Sequence, residues 1–446
     1  MKAPFSIALF CCGILLAAPD VGFSQPYTFG TIVGLAGQKA RFDQTGDGTN
    51  QYARFYSPYG AALDNNGNLY VADGEAIRKV APVGTNWVVT TLAGHGLLHG
   101  LIDGTNTAAL FDSAQGGIAV DAAGNLYVAD TYNNAIRKVT PIGTNWVVTT
   151  IAGLAISMGS PSGSADGTNG NARFDNPQGI AVDSAGNLYV ADTLNNTIRK
   201  ITPIGTNWVV STLAGLAGTN GAADGTNSNA LFSAPVALVP DTNGNIYVAD
   251  FDNNTIRKIT PVGTNWVVST LAGLAGTNGT ADGTNSNARF YWPLGIARDG
   301  AGNLYVSDSG NNTVRKVKPV GTNWVVSTLA GLAGQTGTAD GTGSAALFNA
   351  PFGIAVDKGL NLFVADSYNF TIRRGNIAAL LQIALIGNQV VLSWPAALTG
   401  YVPEASSALA AGAWGTDTNT MSISGDYVTQ TNSIQPGSMY FRLHKP

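Results

Sequence analysis

Two histidines four residues apart are the feature of this sequence that most directly suggests metal chemistry. His95 and His99 lie in the segment Gly94-His-Gly-Leu-Leu-His-Gly100, and imidazole nitrogens are ligands of zinc and copper. No third ligand is evident beside them, and a segment flanked by glycines is a poor former of the helix that would align the two rings. We therefore expect no metal site, and we interpret His95 and His99, the candidate ligands, as solvated residues of a loop.

The ionisable residues give little support for acid–base or nucleophilic catalysis. The sequence contains three histidines and 27 acidic residues, of which only Glu75 and Glu404 are glutamates. Most aspartates recur at three equivalent positions of a repeat, whereas a general acid and a general base need carboxyl groups in contrasting environments. The two cysteines, Cys11 and Cys12, lie in an apolar segment at the amino terminus, so no thiol nucleophile follows it. The sequence predicts no catalytic residue.

The elements that would position a site belong to a sixfold repeat. Variants of Asn-Leu-Tyr-Val-Ala-Asp end at Asp73, Asp130, Asp192, Asp250, Asp308 and Asp366. In the third copy this segment follows Gly179–Asp183 and precedes both Thr197–Lys200 and a segment that begins with tryptophan, Trp208–Gly215. Alternating or β-branched residues bounded by Gly and Asn are typical of strands. Four strands per unit is the pattern of a propeller blade.

The two ends of the repeat are complementary. The tryptophan-led segment occurs five times, at Trp87, Trp146, Trp208, Trp266 and Trp324, and the sixth unit runs into unrelated sequence without it. Thr31–Gly37 instead resembles Thr212–Gly218. An unpaired edge on the last blade would be unfavourable, so we expect residues 27–34 to pair with residues 371–374. The predicted fold is all-β: a six-bladed β-propeller over residues 25–376, closed by an N-terminal strand.

The motifs of this repeat resemble those of NHL repeats, especially the teneurin-like and bacterial exported types. The similarity rests on Thr-Leu-Ala-Gly, Asp-Gly-Thr, Ala-x-Phe, Pro-x-Gly-Ile-Ala, Gly-Asn-Leu-Tyr-Val-Ala-Asp and Ile-Arg-Lys, which recur over about residues 27–375. The resemblance implies the propeller fold. It does not select a function, because NHL propellers serve as protein-binding, RNA-binding, sensor and occasionally enzymatic modules.

The repeated polar residues are interpreted as structural. Asp192 and Arg199 flank the turn Asn195-Asn196 and can tie its hairpin together, and asparagine suits turn positions with positive φ. Each connector between blades contains Asp-Gly-Thr, which we interpret as a turn, and then a phenylalanine such as Phe290 that we expect to be buried between blades. Calcium is the alternative for loops rich in Asp and Asn. Because each loop supplies few carboxylates, we expect no cofactor.

Ligand contacts are expected where the units depart from their own consensus. The turn between the second and third strands carries Tyr132, Leu194, Phe251, Ser309 and Tyr368 at positions that we interpret as equivalent. Tyr291-Trp292 replaces the polar pair Asp175-Asn176 of another connector. Exposed aromatic rings give contact area at a low entropic cost. We therefore predict that one loop-rich face binds a ligand, with packing between blades as the alternative role, through Tyr132, Phe251, Tyr291, Trp292 and Tyr368.

The two ends of the chain differ from the repeat. Lys2 followed by the apolar run Phe5–Ala18 is typical of a secretory signal, which we place at residues 1–24. The apolar run is short for a bilayer span, so we expect no membrane span after cleavage and a secreted or cell-envelope location. Residues 377–446 lack the repeat, and alternating segments such as Asn388–Trp394 predict a small β-sandwich-like module there.

Composition narrows the class of partner. The formal net charge is −4 and no basic run occurs, whereas nucleic acid binding needs a clustered cationic surface. We therefore expect an exported binding propeller that recognises a protein or a carbohydrate through its loop-rich face, and no nucleic acid partner. Two alternatives stay open: a metal-dependent propeller enzyme of the lyase or lactonase type, and a purely structural component of the cell surface.

Overall fold

The computed structural model describes residues 27–40, 46–96, 98–112, 116–154, 161–378, 381–386, 389–396, 400–407, 415–424, 427–433 and 440–444. The predicted signal peptide, residues 1–24, lies outside the described residues. The chain divides into two compact units, one of residues 28–376 and one that includes residues 377–446. Among the described residues, no helix has the length and apolar character needed to cross a membrane.

The larger unit consists of antiparallel sheets that follow one another along the chain, and we refer to them as blades 1 to 6. The described residues form these strands: β1 Tyr27–Val33; in blade 1, β2 Gly48–Thr49, β3 Pro58–Leu63, β4 Leu69–Asp73, β5 Ala76–Val83 and β6 Asn86–Gly94; in blade 2, β7 Gly104–Thr105, β8 Ile118–Val120, β9 Leu126–Asp130, β10 Ala135–Ile142 and β11 Asn145–Ala152; in blade 3, β12 Gly167–Thr168, β13 Pro177–Val182, β14 Leu188–Asp192, β15 Thr197–Ile204 and β16 Asn207–Ala214.

The second half of the ring repeats this arrangement. Its strands are, in blade 4, β17 Gly225–Thr226, β18 Pro235–Pro240, β19 Ile246–Asp250, β20 Thr255–Val262 and β21 Asn265–Ala272; in blade 5, β22 Gly283–Thr284, β23 Pro293–Arg298, β24 Leu304–Asp308, β25 Thr313–Val320 and β26 Asn323–Ala330; in blade 6, β27 Gly341–Thr342, β28 Pro351–Val356, β29 Leu362–Asp366 and β30 Thr371–Ile377. The innermost strand of each blade contacts that of the next, and β28 of blade 6 contacts β3 of blade 1. The ring of blades is therefore closed.

The N-terminal strand completes blade 6. The strand order there is β27-β1-β30-β29-β28, so β1 takes the place that the tryptophan-led strand has in the other blades. On its outer side β1 pairs with β27, with Thr28 opposite Thr342 and Phe29 opposite Gly341. The predicted closure by an N-terminal strand is confirmed. The edge of β30, which would otherwise be unpaired, is covered by β1, and the outer edge of β1 is in turn covered by β27.

Among the described residues, each blade has five strands, one more than the sequence pattern predicted. The extra strand is the Gly-Thr of the Asp-Gly-Thr motif, which pairs with the tryptophan-led strand: Gly225 lies opposite Val268 and Thr226 opposite Val267. The interpretation of Asp-Gly as a turn was therefore wrong. The backbone of the Gly-Thr strand thus forms hydrogen bonds with the outer edge of the tryptophan-led strand, whose polar groups would otherwise be unpaired. The reversal of the chain follows it, as a three-residue 3-10 turn, at Asn50–Tyr52, Asn106–Ala108, Asn169–Asn171, Asn227–Asn229, Asn285–Asn287 and Gly343–Ala345.

Aromatic residues fill the spaces between blades. The phenylalanine of each connector is fully buried, as predicted, at Phe55, Phe111, Phe174, Phe232, Phe290 and Phe348. Trp87, Trp146, Trp208 and Trp324 pack edge-on against an aromatic ring of the preceding blade. Trp208, for example, packs against Tyr127 of β9 with ring centroids 5.9 Å apart. Edge-to-face ring pairs are favourable beyond their buried area. These contacts link consecutive blades into one core.

A buried arginine ties each blade to its connector. In blade 3, Arg199 contacts Asp192 at 2.6 Å through Nη1 and Asp166 at 2.8 Å through Nη2. Arg199 also donates to the carbonyl oxygens of Arg173 and Ala165, each at 3.0 Å. Burial raises the pKa of Asp192 to about 6, while the guanidinium opposes this shift. The predicted hairpin pair Asp192–Arg199 is present, and the connector aspartate is a second partner that the sequence did not indicate.

The described residues of the second unit form two small sheets. Their strands are β31 Gln382–Ile386, β32 Gln389–Pro395, β33 Val402–Ser406, β34 Gly415–Thr416, β35 Met421–Ser424, β36 Tyr427–Ser433 and β37 Tyr440–His444. The strand orders are β31-β32-β36-β35 and β34-β33-β37. Trp394 and Leu392 of β32 are buried, and Arg442 is paired with Glu404 at 2.6 Å. The prediction of a small C-terminal β module is confirmed, and its described strands form these two sheets.

Candidate functional site

The innermost strands of the six blades surround a cavity of about 590 Å³. Each of these strands presents its backbone edge to the axis of the ring, so equivalent residues of the six strands form a ring at one height. The first of these rings is Tyr59, Gly116, Gln178, Val236, Leu294 and Phe352. The last is Leu63, Val120, Val182, Pro240, Arg298 and Val356. The described lining residues include no carboxyl, imidazole or thiol group.

Aromatic rings gather at the end of the cavity where the innermost strands begin. Tyr59 packs against Phe352 with ring centroids 4.8 Å apart, and Phe352 packs against Tyr368 at 5.9 Å. Burial raises the pKa of Tyr59, and the neighbouring Tyr368 and Tyr132 act in the same direction. Tyr132 and Tyr368 are themselves 54% and 57% exposed. We call Tyr59, Tyr132, Phe352 and Tyr368 the first aromatic group. It lies on blades 6, 1 and 2.

A second aromatic group, Phe251, Tyr291 and Trp292, lies on blades 4 and 5 at the same end. The rings of Phe251 and Trp292 are stacked, with centroids 5.7 Å apart and planes inclined by 15°. Tyr291 and Trp292 are 4.5 Å apart, and Trp292 is 44% exposed. Because blade 4 lies opposite blade 1 in a ring of six, the two groups lie on opposite sides of the ring, and Phe251 is the member of the second group that lines the cavity.

The backbone of the second group is held by side chains of both blades. The amide of Tyr291 donates to Asp308 Oδ1 at 2.7 Å, and that of Trp292 donates to Asn254 Oδ1 at 2.9 Å. A Cβ on Gly310 would lie 2.6 Å from Tyr291 Cγ, so glycine is needed there to seat the tyrosine ring. Trp292 has a φ of 54°, a left-handed conformation that these hydrogen bonds stabilise. The rings are therefore positioned before any ligand binds.

We call the end of the cavity that carries both aromatic groups the mouth. The predicted ligand residues are distributed around it. Phe251 and Tyr368 line the cavity, whereas Tyr132, Tyr291 and Trp292 lie beside it on the same face. Phe251 and Tyr291 are partly buried and pack between blades as well. That the five residues bind a ligand stays a prediction.

The interpretation of the turn positions as equivalent was wrong by one residue. Phe251 and Ser309 directly follow the aspartates that end β19 and β24. Tyr132, Leu194 and Tyr368 instead come one position later, after the aspartates that end β9, β14 and β29. In blades 2, 3, 5 and 6 that first position carries a hydroxyl that donates to the next blade, as Thr193 does to the Pro235 carbonyl at 2.8 Å. Phe251 cannot make this bond, and its ring lines the cavity instead.

Tyr59 and Phe352 were missed by the sequence reasoning. They occupy the variable position of the repeated Pro-x-Gly motif, where the other copies carry Gly116, Gln178, Val236 and Leu294. A comparison of the six copies at this position would have found them. Their importance follows from the ring geometry, which places this position at the mouth.

The histidine pair lies away from any cluster of ligands. His95 forms an isolated bridge with Leu98, and His99 forms one with Phe111. Among the described residues, no group of three or more His, Cys, Asp or Glu side chains is arranged to hold a metal ion. Burial raises the pKa of nearby Glu75, Asp112 and Asp73 raise it further, and His99 opposes the shift.

The connector aspartates are engaged within the fold. Asp166, for example, accepts from the hydroxyl of Thr212 at 2.9 Å as well as from Arg199. A carboxylate that neutralises an arginine is a poorer ligand for a cation. The expectation of no cofactor, with calcium as the alternative, stays a prediction.

Family models agree with the fold. The teneurin NHL domain matches residues 209–403, and the NHL repeat matches residues 116–139 and 174–201. The resemblance to NHL repeats is confirmed, because models of the NHL repeat and of the teneurin NHL domain match these stretches of the chain.

Relatives with similar sequences are larger proteins. Protein SUPPRESSOR OF QUENCHING 1, chloroplastic, of Arabidopsis thaliana is 30% identical over 351 residues, which cover 74% of this chain and 31% of that protein. Teneurin-3 of Danio rerio is 26% identical over 381 residues, covering 78% of this chain and 13% of teneurin-3. NHL repeat-containing protein 2 of Homo sapiens is 27% identical over 298 residues, covering 61% and 40%. The chain thus spans less than half the length of these relatives.

Solved structures share the fold. A protein of unknown function from Bacteroides thetaiotaomicron has a TM-score of 0.58 at 22% identity, covering 78% of this chain and 76% of that one. An auxiliary nutrient binding protein from Bacteroides ovatus has a TM-score of 0.57 at 18% identity, with the same coverage. At these identities the likeness concerns the fold alone.

Proposed function

We propose that this chain is an exported carbohydrate-binding protein that holds its ligand at the mouth of the central cavity. The observation that carries the proposal is the pair of aromatic groups on opposite sides of that mouth, from which Tyr59, Phe251 and Phe352 line the cavity. Sugar rings have apolar faces that stack on aromatic side chains, and ligand sites commonly combine such surfaces with a few polar groups. The amide of Gln178, in the ring of residues at the mouth, supplies one of these.

The charge of the mouth favours a neutral ligand. Arg298 is the one cationic side chain among the described lining residues, and it lies in the last ring, away from both aromatic groups. A wall without carboxyl, imidazole or thiol groups supports binding in preference to the lyase or lactonase alternative, since both reactions need acid–base or metal chemistry. The auxiliary nutrient binding proteins that share the fold agree with a binding role.

Export is part of the same proposal. It rests on the signal-like segment of residues 1–24, in which Lys2 precedes the apolar run Phe5–Ala18. A location outside the cytoplasm would give the mouth access to free or surface-bound glycans. A fusion of residues 1–40 to a periplasmic reporter measures this directly: we expect activity of the reporter outside the cytoplasm, and its retention inside would contradict export.

Substitutions taken from the repeat itself test the binding site. Ser309 and Ser367 occupy the position of Phe251, and Leu294 occupies that of Phe352. We therefore expect Phe251→Ser combined with Phe352→Leu to fold while removing one ring from each aromatic group. On an array of neutral and charged glycans, followed by calorimetry with the ligand that binds, this pair should weaken binding about tenfold to a hundredfold.

Arg298→Val is the matched control, because Val120, Val182 and Val356 occupy the equivalent position at the far end of the cavity. It should leave affinity for a neutral glycan unchanged. Unchanged binding by the double aromatic variant would refute the mouth as the site. Binding of protein partners, and of no glycan, by the wild-type chain would refute the ligand class while leaving the mouth to be tested with that partner.

A further inference from the structure

A second groove, of about 580 Å³, lies among the outer strands where β1 completes blade 6 beside blade 1. One wall is the end of β1 with Ile32 and Leu35. The floor is the 3-10 turn Asn50–Tyr52, and the other wall is the hairpin of β5 and β6 with Trp87. We call it the seam groove, because the strand from the front of the chain meets the first blade there. Its residues are separate from those of the mouth.

Two residues of the seam groove depart from the repeat. Tyr52 is 75% exposed, and its position carries Ala108, Asn171, Asn229, Asn287 and Ala345 in the other copies. Gln51 takes a position that the other copies give to Thr107, Gly170, Ser228, Ser286 and Ser344. Five copies of the blade thus fold with small or short polar residues here. A large exposed ring gains little from packing, so folding does not explain it.

The frame of the groove is common to blades 1 to 5 and is held by hydrogen bonds. Asn50 Oδ1 accepts from the Trp87 amide at 2.7 Å, and its Nδ2 donates to Asn86 Oδ1 at 2.9 Å. The same bonds join Asn227 to Trp266 and Asn265 in blade 4, at 2.8 and 3.0 Å. The departures at Gln51 and Tyr52 therefore add ligand-facing groups to a frame that is already in place, which lowers the entropic cost of binding.

The chemistry of the lining indicates the ligand. None of the lining side chains carries a charge, so neither an anionic nor a cationic ligand would find a counter-charge. The exposed Tyr52 ring and the partly exposed Trp87 ring offer flat apolar surfaces, and Gln51 and Thr85 offer exposed amide and hydroxyl groups. We propose that the seam groove is a second, independent binding site for neutral carbohydrate. It binds whether or not the mouth does.

The experiment starts from the full chain with the mouth disabled by Phe251→Ser and Phe352→Leu, so that the seam groove is measured alone. Neutral hexasaccharides of glucose, xylose and mannose units are titrated by calorimetry. Adding Tyr52→Asn and Gln51→Ser gives this turn the residue types of blade 4, where Ser228 and Asn229 stand. We expect the added pair to weaken the remaining binding about tenfold, with an unchanged thermal unfolding midpoint.

The reverse transplant provides the matched control. Ser228→Gln with Asn229→Tyr places the same two side chains over the equivalent frame of Asn227 and Trp266. On the background lacking the seam residues, we expect this transplant to restore binding with a stoichiometry of one.

Three outcomes would overturn the proposal. Equal affinity with and without Tyr52 would place the binding elsewhere. Binding of no neutral hexasaccharide by the mouth-disabled chain would exclude this ligand class. If substitution of Tyr52 abolished the binding of a proline-rich peptide but not that of any sugar, the groove would be assigned to a protein partner. If the mouth variants alone did not weaken binding, the proposed role of the mouth would be refuted but the seam groove would still be tested, because the two sites share no residue.

Discussion

The seam between the first strand and the last blade carries a pair of residues whose volumes compensate. In blade 4, Val268 of β21 lies opposite Ile259 of β20, and the other blades built from one stretch of chain have similar pairs. In blade 6 the corresponding residues are Phe29 of β1 and Gly375 of β30. A Cβ on Gly375 would lie 2.6 Å from Phe29 Cε1, and Phe29 is fully buried. The large ring fills the space that an aliphatic side chain fills elsewhere.

This geometry predicts strong coupling between the two positions. Phe29→Val alone leaves a cavity above Gly375 and should lower the free energy of unfolding by about 2 to 3 kcal/mol, less than the truncation of a buried Phe to Ala. Gly375→Ile alone forces a side chain against the ring and should cost about 1 to 3 kcal/mol. Together the two changes rebuild the Val–Ile pair of blade 4, and removing a strand glycine contributes about 0.5 to 1 kcal/mol in favour of folding.

A double-mutant cycle in urea measures this coupling. We expect each single variant to have a lower urea midpoint than the wild type, and the double variant to lie within about 1 kcal/mol of it. The mirror pair in blade 4, Val268→Phe with Ile259→Gly, is the matched control and should show the same sign of coupling. Destabilisation of the double variant by the sum of the two single effects would refute the compensation, and with it the account of how β1 is recognised by blade 6.

Two further substitutions test the frame of the blades. Arg199→Ala leaves the buried Asp192 without its partner and should cost about 3 to 5 kcal/mol, whereas the neighbouring, partly exposed Lys200→Ala should change the urea midpoint little; equal effects would contradict the role of the ion pair. Phe370 has a φ of 58° at a position where other blades carry Asn134, Asn196, Asn254 and Asn312. Phe370→Asn should therefore raise the free energy of unfolding by about 1 kcal/mol, and a lower urea midpoint would show that the phenylalanine ring stabilises the turn.

The fold was readable from the sequence to an unusual depth because its information is local and repeated. In each blade, short apolar segments and turns indicate the strands. The pattern shared by the six copies remains clear where one copy departs from it. The closure was readable as well, since a strand missing after Arg374 reappears at Thr31. The error at Asp-Gly-Thr arose because two residues are too few to show a strand period. Only the pairing of Gly225 with Val268 reveals the extra strand.

The candidate site was predicted less completely, and the reason is again physical. Tyr59 and Phe352 are close in space but lie at opposite ends of the repeat, so no local pattern links them. A shift of one residue in aligning the turns was enough to misplace Phe251, since the first turn position is buried in most blades whereas Tyr132, Leu194 and Tyr368 at the second are exposed. Tyr52 carried a signal, its departure from the other copies, but the meaning of that departure depended on the neighbouring Trp87 and Leu35.

What the sequence alone determined is the blade, its sixfold repetition and the strand that closes the ring, because these follow from the local alternation of apolar and polar residues. What only the tertiary structure decided is which departures from the repeat meet. Closing the ring brings the first blade against the last and places equivalent residues at one height, so that scattered aromatic side chains become two groups at a mouth and a third set at the seam.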